Sequence, residues 1–163
     1  MLKGDSIILR SLVISDLKFL KRIENDKNNW KFGGDRKKFS NYQLYNYIKN
    51  ASVDISIAKQ YRFVIELYSK PIGFIDLFNY TKESADVGLI VANEYRNKGY
   101  ANEALMLICN YAFDNLNLLF LKCCIRNDNQ ISIKLFASCG FLLFKEEEDF
   151  CSFVKHKSDN LLH

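Results

Sequence analysis

The stretch at residues 94–105, EYRNKGYANEAL, sets Arg96, Lys98 and a lone Gly99 directly ahead of a helical pattern. Just upstream, ADVGLIVAN (85–93) is apolar and β-branched and reads as a strand. A chain that leaves a strand through a short turn and enters a helix at once presents several backbone N–H groups that have no intrahelical partner. These groups sit at the positive end of the helix dipole. Gly99 lets a ligand approach, and Arg96 and Lys98 add charge, so the chemistry on offer is anion binding, and a diphosphate suits it. The GxxxxGK[ST] loop and the GxGxxG fingerprint are both absent. A plain strand-to-helix turn, with Gly99 relieving sterics and the charges solvated, fits the spacing too and has a slight advantage on spacing alone.

Other chemistries find less support. The five cysteines, Cys109, Cys123, Cys124, Cys139 and Cys151, are odd in number and form no CxxC pair. That argues against a disulfide framework and a zinc site, and for small core residues in a reducing compartment. The only histidines are His156 and His163, near the C-terminus, so no cysteine has a paired imidazole and a covalent intermediate is not expected. The formal net charge of +4 is mild, and its Lys and Arg are dispersed, with Arg36-Lys37-Lys38 the nearest thing to a basic run. Nucleic acid is therefore a poor partner. The start of the chain is too short and polar for a signal peptide, and no apolar run approaches a membrane span, so a soluble, cytoplasmic protein is expected.

The elements that must position these residues follow from periodicity. SIILRSLV (6–13) is a first strand. Ser15 caps a helix with Leu17, Leu20 and Ile23 on one face, and Ser40 caps a second that runs to about Ala51 with Leu44, Tyr47 and Ile48 inward. Between them, Gly33-Gly34 breaks a loop. YRFVIELY, KPIGFIDLFNY and ADVGLIVAN are strands, the first two joined by a turn at Ser69-Lys70 and the last two by TKES. A long helix is expected over 101–117, buried along Ala101, Ala104, Leu105, Ile108, Ala112 and Leu116. LLFLKCCI is a buried strand, a helix runs from about 127 to Cys139 with Gly140 ending it, and FLLFK and FCSFVKH close the chain as a hairpin around EEED. The 163 residues are expected to form one domain, 1–163, of mixed α/β class with one central sheet: antiparallel hairpins first, then a parallel strand–helix–strand unit.

Two motifs carry a family resemblance. Arg96-Asn97-Lys98-Gly99-Tyr100-Ala101 resembles the R/Q-x-x-G-x-G/A signature of the GNAT superfamily of N-acetyltransferases. NQISIKLFASCGF (129–141) resembles that family's later helix pattern, Asn-x-x-Ala/Ser, Leu-Tyr, then Gly-Phe. The element order matches the same fold over nearly the whole chain, and the resemblance is nearest to the branch with ribosomal-protein N-terminal acetyltransferases and spermidine N-acetyltransferase. It implies a central, mostly antiparallel sheet with a splayed parallel strand pair, flanked by helices, and acetyl-CoA as cosubstrate.

Carried over by position, the resemblance implies that the backbone of Leu89, Ile90 and Val91 bonds the pantetheine arm like an added strand. The N–H groups of Arg96, Asn97, Lys98, Gly99, Tyr100, Ala101 and Asn102 would cradle the diphosphate. Asn129 would contact the pantetheine region, and Ser132 and Lys134 would line the cofactor's far side. Leu89, Ile90 and Val91 also read as ordinary core strand, Asn129 as a plain helix start that Asp128 or Asn127 could cap as well, and Asp86 as a solvent-facing strand residue. Acetyl transfer needs a base for the ammonium proton and a donor for the carbonyl oxygen. Asp86 stands where relatives often carry a Glu and is the candidate base. The family's usual acid, a Tyr, is replaced by Phe136, which donates no proton.

For the acceptor, the resemblance points to residues 24–38 and 146–153. There, Trp30 beside Phe32 is an aromatic lid or a core plug, and Glu24, Asp26 and EEED could attract a cationic amine. The implied activity is transfer of an acetyl group to a primary amine (a protein N-terminus, a polyamine or another small amine) by direct attack in a ternary complex. A catalytically impaired CoA-binding or regulatory module is the alternative that Phe136 raises. Relatives often pair through sheet edges, which allows a homodimer.

Overall fold

The computed structural model describes residues 1–32 and 37–160. The described strands form one sheet: β1 (Leu2–Lys3), β2 (Ile8–Ser11), β3 (Tyr61–Leu67), β4 (Lys70–Phe78), β5 (Ser84–Val91), β6 (Phe120–Arg126), β7 (Leu142–Glu146) and β8 (Phe150–His156). Their spatial order is β1-β2-β3-β4-β5-β6-β8-β7. Every neighbouring pair is antiparallel except β5 and β6, which run parallel. The expected mixed sheet with one parallel pair is present.

The helices divide between the two faces. α1 (Leu17–Glu24) and α2 (Asn41–Asn50) cover one face, packing Leu20, Ile23, Leu44 and Ile48 on Val64 and Phe74. α4 (Tyr100–Asn110) and α5 (Gln130–Ser138) cover the other, with Leu105, Ile108 and Phe136 against Ile75, Leu77, Leu121 and Cys123. A short α3 (Ile55–Ala58) adds Ile55 to this second core. β4 is covered on both faces, which explains its nearly unbroken apolar run: Phe74 points to one core, Ile75 and Leu77 to the other.

Several local expectations shift. The first two-residue hairpin turn is Tyr68-Ser69, both with positive φ (48° and 64°), because Lys70 already pairs with Leu67. Primed turns of this hand match the twist of the strands they join. Ser15 does not cap the first helix. A 3-10 turn, Ile14–Asp16, precedes α1, and the buried Asp16 takes the capping role by accepting from the Val13 N–H at 2.9 Å while its oxygens bind the Arg10 guanidinium. Ser40 does cap α2, with Gln43 reaching back to its N–H. The long helix expected over 101–117 is α4 followed by a π-turn, Tyr111–Asn115, in which the Leu116 N–H reaches Tyr111 O. α3 and β1 are too short for periodicity to reveal.

Candidate active site

β5 and β6 are hydrogen-bonded neighbours over only three rows, Ser84 with Phe120, Ala85 with Leu121 and Asp86 with Lys122. Beyond Asp86, β5 continues along β4 as far as Val91, and β6 continues along β8 as far as Arg126. The two parallel strands therefore part and leave a wedge, with the backbone of β5 unpaired on that side. The direction of each backbone group is set by Gly73 of β4. A Cβ there would lie 2.3 Å from the Ile90 carbonyl oxygen, so Ile90 turns its backbone toward β4. Alternation then turns the N–H and C=O of Leu89 and Val91 into the wedge. Of the three strand residues implied by resemblance, Leu89 and Val91 have the required orientation, and Ile90 contributes its side chain to the α1–α2 core.

At the end of β5 the chain makes a 3-10 turn, Asn93–Tyr95, and reaches α4 through Asn97 (φ 60°) and Gly99 (φ 87°). Gly99 is needed for its left-handed φ, and a Cβ there would meet nothing within 4 Å, so the space above it is open. Among the described residues, none of the backbone N–H groups of Asn97, Lys98, Gly99, Tyr100, Ala101 and Asn102 donates to a carbonyl. They form a cluster of donors at the dipole's positive end.

The two cations do something different from direct anion contact. Arg96 Nε donates to Val91 O at 2.8 Å and its terminal nitrogen to Asn29 Oδ1 at 3.1 Å, while Lys98 Nζ donates to Glu94 O at 3.0 Å. Both brace the turn from behind, and their charge acts through space.

α5 forms the opposite wall. Asn129 is its own cap, its Oδ1 accepting from the Ser132 N–H at 3.2 Å. Its neighbours are engaged elsewhere: Asp128 pairs with Arg126, and Asn127 holds the Glu147 and Glu148 carbonyls. Ser132 is half-buried and Lys134 exposed on this helix. Asn102 bridges α4 and α5, its Nδ2 lying 3.3 Å from Cys139 Sγ and 3.4 Å from Ser138 Oγ. Burial pushes the Cys139 thiol up and keeps it protonated. Phe136 is buried and meets Phe141 edge-on, ring centroids 5.0 Å apart.

Asp86 lies on the last paired row before the wedge. Its Oδ2 accepts from Asn79 Nδ2 at 2.8 Å, Lys122 Nζ lies 3.6 Å from its Oδ1, and that Oδ1 is buried with no hydrogen-bond donor. Asp86 shares a face of β5 with Gly88, two residues on, and this face looks toward α1 and α2. There a cavity of about 620 Å³ opens between those helices and the β3–β4 hairpin. It contains Arg62, which donates to both oxygens of Asp76 at 2.8 Å and also binds Glu24. Gly88 pairs with Asp76, and a Cβ on it would approach Phe78 to 3.3 Å. The bare glycine thus sits behind Asp76 and Phe78, which line the cavity, on the unpaired part of β5.

Among the described residues, Glu24 is the only member of this cavity that sequence reasoning placed near an acceptor. The closing hairpin lies beyond β6, and no residue from 146 to 153 lines the cavity. The side chains of Trp30 and Phe32, and Gly33-Gly34, lie outside the described residues. Arg62, Asp76 and Gly88 were missed, although a charge set into each of two apolar strands was a signal. Among the described residues no cluster of His, Cys, Asp and Glu could hold a metal, and no helix is long and apolar enough to cross a membrane.

Comparison with known proteins agrees with this fold. The family model described as acetyltransferase (GNAT) domain matches residues 6–142. Spermidine N(1)-acetyltransferase of Vibrio cholerae serotype O1 is 27% identical over 142 residues, spanning 85% of this chain and 80% of that protein. Acetyltransferase PseH of Campylobacter jejuni serotype O:23/36 is 31% identical over 113 residues, 69% of each chain. The crystal structure of the Vibrio cholerae spermidine N-acetyltransferase in complex with CoA and spermine superposes with a TM-score of 0.86 at 25% identity, covering 97% of this chain and 99% of that one.

Proposed function

Because the chain belongs to the GNAT acetyltransferase family and takes acetyl-CoA as its acetyl donor, we propose that it acetylates a primary amine by direct attack within a ternary complex. The observation that carries this reading is the meeting of two spaces on one strand. Past Asp86, β5 faces the wedge with its free backbone edge, and its Gly88 lies against Asp76 and Phe78, two of the residues that line the acceptor cavity. A thioester lying along the edge and an amine in the cavity are thereby brought together, which supplies most of what proximity can give.

Acetyl-CoA supplies an activated acyl group, and the chain's residues do the rest. Leu89 and Val91 offer backbone groups to the pantetheine arm, although the Val91 carbonyl is already shared with Arg96. The N–H groups of Asn97 through Asn102 hold the diphosphate, with Gly99 leaving room; that of Arg96, included by resemblance, is spent on Asn93 O at 3.3 Å. Asn129, Ser132 and Lys134 flank the arm from α5. The Oδ1 of Asp86, which has no hydrogen-bond donor and lies 3.6 Å from Lys122 Nζ, accepts the ammonium proton, while Asp76 has both oxygens committed to Arg62. Backbone N–H groups of β5 polarise the carbonyl.

Incubation of the protein with acetyl-CoA and a panel of primary amines, read by free CoA thiol and by the mass of the acetylated amine, tests the proposal. Acceptor-dependent release of both products is expected; their absence with every amine, while CoA still binds, would establish instead the binding-module reading. Phe136 favours that second reading, since its buried ring offers the departing thiolate no proton.

The same proposal extends to setting and assembly. Five thiols without a disulfide support a reducing, cytoplasmic compartment. The outermost strand β7 is exposed along its length, with Leu142, Leu143 and Phe144 at 61%, 48% and 55%. An open apolar edge of this kind supports pairing with a second copy.

A further inference from the structure

The acceptor cavity holds a charge pattern that its apolar walls do not require. Two carboxylates, Asp76 and Glu24, face it, and a guanidinium stands between them. Arg62 meets Asp76 through Nε and a terminal nitrogen, both at 2.8 Å, in the two-pronged geometry that fixes both planes, and turns its other terminal nitrogen to Glu24. Its guanidinium carbon lies 5.6 Å from the Tyr47 ring centroid and 5.1 Å from that of Phe74, so it is held by aromatic faces as well as by charge. Burial alone would lower the Arg62 pKa, but Asp76, followed by Tyr47 and Glu24, holds it well above the usual guanidinium range. This cation is permanent.

Without Arg62, two carboxylates in one cavity would suit an acceptor with several ammonium groups. With it, the described lining residues carry two negative charges and one positive, leaving a single negative charge. The other walls are the rings of Phe39, Tyr61 and Phe78 and the amides of Gln43 and Gln60, surfaces for a flat or aliphatic body with a few polar groups. We propose that Arg62 is a specificity-determining residue that occupies the place of a second ammonium, so that the acceptor is a primary monoamine and polyamines are disfavoured. This rests on the acetyl-transfer reading, and it separates the chain from its Vibrio cholerae relative, which is named for spermidine.

The test compares tyramine, with one ammonium, and spermidine, with several, by calorimetric binding to the CoA-loaded protein and by acetylation with acetyl-CoA. The intact protein is expected to favour tyramine by about tenfold in both affinity and kcat/KM, the scale of one unfavourable charge contact. Arg62→Met frees both carboxylates and raises the kcat/KM for spermidine about tenfold relative to tyramine, whereas Arg62→Lys keeps the charge and the discrimination. Preference of the intact protein for spermidine, or an unchanged ratio in Arg62→Met, overturns the proposal. Should that variant fail to fold, Asp76→Asn removes the remaining net charge and is expected to weaken tyramine binding about tenfold, and unaltered binding overturns the proposal equally. If neither amine is acetylated while tyramine still binds in preference to spermidine, the acetyl-transfer reading fails and the charge assignment stands. If both are acetylated with equal efficiency, the reverse holds.

Discussion

At the scale of single residues, the proposed chemical step turns on Asp86 and Phe136. Asp86 has one oxygen held by Asn79 and one buried without a donor, with Lys122 nearby. This oxygen is the proton acceptor of the proposed mechanism. Asp86→Asn is expected to lower kcat about a hundredfold and to leave the KM for acetyl-CoA within about twofold, the signature of lost acid–base work. Steady-state thiol release at saturating donor measures it, and an unchanged kcat would remove Asp86 from the mechanism. Phe136 stands where the family pattern has a Tyr. Phe136→Tyr is expected to raise kcat about tenfold if departure of the thiolate is limited by the missing donor. Equal rates for the two proteins would assign that proton to water.

At the scale of elements, the site is made by a turn and by the end of a ladder. The turn depends on Gly99 at φ 87°, a conformation that a side chain adopts only at a cost of about 1–2 kcal/mol. A branched side chain would also fill the open space above it. Gly99→Val is therefore expected to raise the KM for acetyl-CoA about tenfold or more while the far-ultraviolet circular dichroism stays unchanged. Tight binding of CoA to this variant would rule out the cradle. Behind the turn, Arg96 and Lys98 brace the loop from residues that precede it, so its shape is set before ligand arrives. α4 and the π-turn that follows it are anchored by Leu105, Ile108 and Phe113, all fully buried, each worth about 1.5–3 kcal/mol of transfer free energy. That anchoring keeps the donor cluster fixed against the end of β5.

At the scale of the whole molecule, the sheet separates cofactor and acceptor. α4 and α5 on one face hold the proposed cradle and one wall of the wedge, α1 and α2 on the other roof the cavity, and β5 edges the wedge while pairing with β4, whose Asp76, Leu77 and Phe78 line the cavity. The sheet also ends in β7, whose Leu142, Leu143 and Phe144 are exposed. A homodimer joined there is expected by light scattering at micromolar concentration, and Leu142→Lys with Phe144→Lys is expected to yield a monomer with its fold intact. A wild-type monomer across that concentration range would leave the edge without a partner.

The sequence by itself determined the strands, most of the helices and the strand–turn–helix at Gly99 that the proposed cofactor site uses, because these rest on local chemistry. Apolar periodicity marks each long element, Ser40 and Gln43 cap a helix through neighbours three apart, and Gly99 announces its turn by being the residue that can adopt it. Asp86 is singled out as a candidate base only by the family resemblance, through its place near the start of β5. The acceptor half depends on pairing between distant strands. With Leu67 opposite Lys70, an uninterrupted hairpin would set Arg62 opposite Ile75 and send Asp76 to the other face. The structure has a bulge, with Ile72 as the extra residue, and the register beyond it brings Arg62 opposite Asp76. One added residue reverses the face of every side chain after it. That bulge, the parting of β5 from β6 after Asp86 and the reach of Glu24 from α1 were decided by tertiary packing, because no local propensity says which row of a ladder will be the last.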